Sequence, residues 1–148
     1  MHPVIAITPM LLAATLLATA APAIAASCTV DPQDLTLGAY DPLAMAPQDA
    51  VAYITVTCDA ATPFVVTLGP GSGNYVARTM RGGGQSLRYN LFLDASRSTV
   101  WGDGSNGSGS LSQTGTGGTF PVYARAPGRQ TDLRAGTYSD SITVTVTY

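Results

Sequence analysis

Two cysteines, Cys28 and Cys58, are the only thiols in the chain, and they lie thirty positions apart. A metal site built on them would need further soft ligands, yet the sole histidine is His2 at the extreme N-terminus. A disulfide is the chemistry that two such residues support in an oxidising compartment. In the chain-entropy account, closing a loop of about 30 residues contributes roughly 3–4 kcal/mol. The next candidate is Trp101-Gly102-Asp103-Gly104, with Asn106 close behind. Asp103 and Asn106 could supply oxygens to a calcium ion or a sugar, with Trp101 as a stacking face. The same residues also make a tight turn, with the glycines at positive φ and Trp101 packed on the core.

Catalytic combinations are scarce. The chain has no Lys and no Glu, and beyond His2 no histidine, so acid–base work would fall to Asp, Tyr and Arg. A Ser-His-Asp arrangement is excluded without the histidine. Gly69-Pro70-Gly71-Ser72-Gly73 and Gly82-Gly83-Gly84 lack the Lys-Ser/Thr pair of a phosphate loop and read as turns. Asn106-Gly107-Ser108 matches a glycosylation sequon. An enzyme is not expected, and neither a cofactor nor a metal is called for. Seven arginines are dispersed from Arg78 to Arg134, and the net charge is −2. No basic cluster exists to neutralise phosphates, so nucleic acid is not an expected partner. The arginines read as a solvated surface.

The elements that must position these residues are strands. Residues 5–25, IAITPMLLAATLLATAAPAIA, form an apolar run ending in Ala23-Ile24-Ala25. That is a signal-peptide pattern over 1–25 with an A-x-A cleavage site, leaving a domain over 26–148. Pro9 and Pro22 bracket about a dozen residues, short of the ~20 that a spanning helix needs, so no stable membrane span is expected. Abundant Gly, Thr, Ser and Val without Glu or Lys favours β structure.

Alternation places Ala52, Ile54, Val56 and Cys58 on one face of a strand, Phe64, Val66 and Leu68 on another, and Leu87, Tyr89, Leu91 and Leu93 on a third. Short strands are expected at 27–30, resuming at 35–37, and at 75–80, 99–101 and 119–125. The stretch GDGSNGSGSLSQTGTGG reads as a long polar loop. The chain closes on SITVTVTY, with Ile142, Val144, Val146 and Tyr148 on one face. Six or seven strands separated by turns predict an antiparallel two-sheet β-sandwich. The last strand is an apolar edge that aggregates unless something pairs with it.

In order, the early Cys, LGAYDP, ITVTC, LRYNLFLD, WGDG, VYAR and AGTYSDSITVTVTY resemble the spore coat protein U domain, a family that includes subunits of archaic, Csu-type chaperone–usher pili. The match runs over about 28–148. The resemblance implies an immunoglobulin-like sandwich lacking its last strand. A periplasmic chaperone, and later another pilus subunit arriving through an outer-membrane usher, would lend that strand. Ile142, Val144, Val146 and Tyr148 would then line the assembly edge. The Tyr148 carboxylate would be an anchor for the chaperone. The expected localisation is secreted, periplasmic in transit and then on a surface fibre serving adhesion or biofilm formation.

One departure from the family is expected. Cleavage after Ala25 leaves only Ala26-Ser27 before Cys28, too little for a donor segment, which points to a distal subunit that accepts a strand without giving one. A protective coat protein and a loop-based sugar- or surface-binding module are the alternatives.

Overall fold

A computed structural model describes residues 25–148. The signal-peptide expectation falls almost entirely outside these residues. The described chain is all-β. Six strands run as β1 (Cys28–Pro32), β2 (Gln48–Leu68), β3 (Arg78–Gly82), β4 (Gln85–Phe92), β5 (Leu111–Ala126) and β6 (Val144–Thr147). Their order is β1-β2-β5-β4-β3, all antiparallel, and β6 pairs with the far end of β2. No helix among the described residues is long and apolar enough to cross a membrane.

One feature turns this sheet into a sandwich. β2 joins two expected strands, 52–58 and 63–68, into one of 21 residues, and its pairing with β5 slips between Thr57 and Thr62. Such a bulge bends the strand and strengthens its twist. The first half of β2 pairs with β1 and the second half of β5, and the second half of β2 pairs with β6 and the start of β5. Alternation is kept on both sides of the bend. Ala52, Ile54, Val56 and Cys58 are buried, and so are Phe64, Val66 and Leu68. Leu87, Tyr89 and Leu91 of β4 and Val122, Ala124 and Ala126 of β5 close the core between the layers. Together these features make an incomplete immunoglobulin-like antiparallel sandwich.

Four expectations need correction. The stretch 111–118 is strand, not loop, because β5 begins at Leu111. The glycine content hid it. Gly117 has φ 112°, and a Cβ there would lie 2.0 Å from the Val56 carbonyl oxygen, so glycine is what lets β5 approach β2 at the bend. The strand expected to resume at 35–37 does not form, and 99–101 makes only isolated bridges at Val100 and Trp101. Arg78 is not on a solvated surface. It is fully buried, donating from Nη1 to Asn90 Oδ1 (2.7 Å), from Nε and Nη2 to Gly69 O (3.0 and 2.8 Å), and from Nη2 to Trp101 O (2.7 Å).

The cysteines are joined. Cys28 and Cys58 face each other across the β1–β2 ladder with Cα atoms 4.1 Å apart, so the bond ties the start of β1 to the bend of β2.

Candidate functional site

The sandwich is open along one side. There the chain leaving β1 runs beside the chain approaching β6 without pairing to it. Gln33 N donates to Tyr53 O at 3.0 Å, and after it residues 34–40 make no backbone–backbone hydrogen bond to any described residue. Pro32 lacks an amide donor and Gly38 turns the chain at φ 77°, so the ladder with β2 ends here. Two side chains hold this first rim in place. Gln48 Nε2 donates to Leu37 O at 2.9 Å, and the Tyr40 hydroxyl donates to Pro127 O at 2.5 Å. Leu37 reaches into the core, while Leu35 is half-buried.

The second rim is the stretch before β6. Ser139 exchanges two backbone hydrogen bonds with Arg81 (2.8 and 3.1 Å), and Gly69 N donates to Thr143 O (2.8 Å). Residues 140–142 lie between these ties and make no backbone–backbone hydrogen bond to any described residue. Two cavities abut along the opening, of about 540 and 700 Å³, and both are lined by Leu35, Thr36, Met80 and Asp140. The floor of the first is Ile54, Leu68, Tyr89, Leu91 and Val122. The result is a groove with an apolar floor and, along both rims, peptide groups unpaired among the described residues.

Such a site suits an extended strand. Exposed strand edges are templates for pairing, and alternate side chains of an added strand enter pockets while its main chain bonds to the rims. Half-buried Leu35, Met80, Leu133, Tyr138, Ile142 and Val144 already pack against the core. Covering each of them would contribute roughly 1 kcal/mol, about half of a full burial. Arg134, at the wider end, has its amide bound to Gln85 Oε1 at 2.5 Å.

One polar station interrupts the groove. Asp140 Oδ2 accepts the Tyr89 hydroxyl at 2.7 Å, and Oδ1 accepts Ser72 N at 2.9 Å. Burial pushes the Tyr89 phenol pKa up, and the bond to Asp140 adds to the shift.

The predicted residues divide among several places. Ile142 and Val144 line the groove. Val146 packs on the core, and Tyr148 is 55% exposed at the far end of β6, beside Pro63 and Phe64. Trp101, expected as a possible stacking face, is 1% exposed, with Nε1 donating to Val66 O at 3.0 Å. It is a core residue and presents no free ring face. Asp103 Oδ1 accepts both the amide and the hydroxyl of Ser105 (2.9 and 2.6 Å), and Asn106 has φ 50°, so this loop is a self-bonded turn. The groove residues missed from sequence are Leu35, Met80, Tyr89 and Asp140. For Asp140 a signal existed, since it falls in phase with Ile142, Val144 and Val146.

The fold and this opening define a class: an immunoglobulin-like sandwich with a gap where a strand would fit. The chain belongs to the Spore Coat Protein U domain family, whose profile matches residues 13–145. It is 32% identical over 130 residues to Protein U of Myxococcus xanthus, covering 77% of this chain and 71% of that protein. Among solved structures it resembles a chain of the chaperone–tip adhesion subunit pre-assembly complex from the archaic chaperone–usher Csu pili of Acinetobacter baumannii. There the TM-score is 0.56 and the identity 24%, covering 84% of this chain. The chain spans 40% of that structure's chain, and the likeness is one of fold.

Proposed function

We propose that this chain is a strand-accepting subunit of a chaperone–usher-type surface fibre. The observation that carries the reading is the groove, with an apolar floor between rims 34–40 and 140–142 whose peptide groups have no backbone partner among the described residues. A periplasmic chaperone would fill it with a strand during export. A neighbouring subunit would replace that strand once the outer-membrane usher delivers the chain to the cell surface. The fold likeness to a chain of a chaperone–tip adhesion subunit pre-assembly complex supports a chaperone as partner. Surface attachment or biofilm formation is the service proposed for the fibre, and structural rather than enzymatic work is the proposed role.

The test is export of the full chain into a periplasm, alone and with a co-produced cognate chaperone or an added strand peptide. Rescue of yield and a rise in thermal midpoint with the strand are expected. A stable monomer that ignores every strand would overturn the reading. That outcome would favour a second one, a protective coat protein, which the family's name and the likeness to Protein U support.

A further inference from the structure

Resting on that reading, we infer that Asp140 and Tyr89 set the register of the incoming strand by requiring a hydrogen-bond donor at one inward position. Asp140 shares the alternate, half-buried phase of Ile142, Val144 and Val146, the inward one. It is a carboxylate on the apolar face of an open edge, and it lines both cavities where they meet. Each of its oxygens already accepts one bond, from Tyr89 Oη and Ser72 N, and each can accept another. Among the described residues, the narrower cavity has two carboxylates in its lining, Asp34 and Asp140, and no cation.

A strand laid in the groove covers Asp140. An apolar side chain above it strips water from a charged group and returns nothing. A donor such as Thr, Asn or Lys replaces that water, and a carboxylate adds repulsion. Since successive inward side chains are two residues apart, a slip of register carries the donor off Asp140 and sets an apolar residue on it. An inward charge on an edge also resists indiscriminate pairing with other edges. The occupant is therefore a strand with apolar residues at alternate positions and a donor at the one that meets Asp140.

The experiment uses the exported full chain and synthetic peptides with valine at every second position. One inward position is set to Thr, Lys, Val or Asp. The Thr and Lys peptides should bind about tenfold more tightly than the Val peptide, and the Asp peptide weakest of all. Moving the Thr by two positions should slide the bound peptide by two residues, read from paramagnetic broadening by a spin label on the peptide. Equal affinity for Thr and Val, or a bound register that ignores the Thr, would overturn the inference and leave the acceptor reading standing. Binding by no peptide would overturn both. Asp140→Asn should let the Asp peptide bind as tightly as the Val peptide. The peptide series on the unaltered chain decides the matter if that variant fails to fold.

Discussion

The Arg78–Trp101 end of the sandwich and the groove are built from the same strands and solve opposite problems. At the first, a fully buried guanidinium and an indole N–H bond to the carbonyls of Val66, Gly69 and Trp101 and to Asn90, and no buried side-chain polar atom among the described residues lacks a partner. At the second, peptide groups along both rims have no backbone partner among the described residues, and half-buried Leu35, Ile142 and Val144 stand beside a cavity. The contrast teaches that the opening is not loose packing. A chain able to satisfy a buried cation at one end leaves two edges unpaired along one side.

The largest expected effects belong to the closed end. Trp101→Ala removes the largest fully buried side chain and should cost about 3–5 kcal/mol in urea unfolding. A loss below 1 kcal/mol would mean that this end is not the firm one. Next, replacing Cys28 and Cys58 together by serine should cost roughly 3–4 kcal/mol. Because the bond ties β1 to β2 just before the first rim, that variant should also bind a strand peptide more weakly. Unchanged peptide affinity would show that the rim is positioned by Gln48 and Tyr40 instead.

How much of this was legible in sequence follows the same divide. The closed core could be read because alternation at 52–58, 63–68 and 87–91 fixes which side chains face inward. The pairing of the two cysteines followed from elimination. β5 was obscured because the glycines that permit close approach to β2 look like loop residues. Arg78 was obscured because its partners are carbonyls from distant loops, which leave no mark in a sequence. The groove was legible only by half. Ile142 and Val144 stand out in an alternating run, whereas Leu35, Met80 and Tyr89 come from three other segments that only the folded chain brings together.

A smaller effect sharpens the contrast directly. Ile142→Ala trims a half-buried side chain and should cost about 1 kcal/mol in the chain alone. With a strand bound, the same substitution should cost about 2–3 kcal/mol, because the methyl groups are then enclosed. Val66→Ala, in the closed core, should cost the same with and without the strand. Thermal unfolding of both variants in both states gives the comparison. Equal costs for Ile142→Ala in the two states would mean that the strand does not sit over Ile142.

The smallest effect concerns acid and spares the groove. Asp94 has its carboxyl held well below the usual range by hydrogen bonds from Ser96, Ser98 and Thr99, and Asp103 is lowered by Ser105. Asp49 is lowered by its hydrogen bonds from Arg125, with Arg97 nearby. A folded pKa below the unfolded value of 3.8 contributes stability that is present above that value. It is lost as pH falls through the depressed folded pKa. The thermal midpoint should therefore stay flat from about pH 8 to 5 and decline below about 4. Asp94→Asn should lessen the decline at the cost of some midpoint at neutral pH, both modestly, since the group is exposed and water competes for its partners. Strand binding measured between pH 5 and 8 should be flat as well, because no described residue is a histidine. A binding curve that bends near pH 6 would place a titrating group in the groove and require a different account of its polar station.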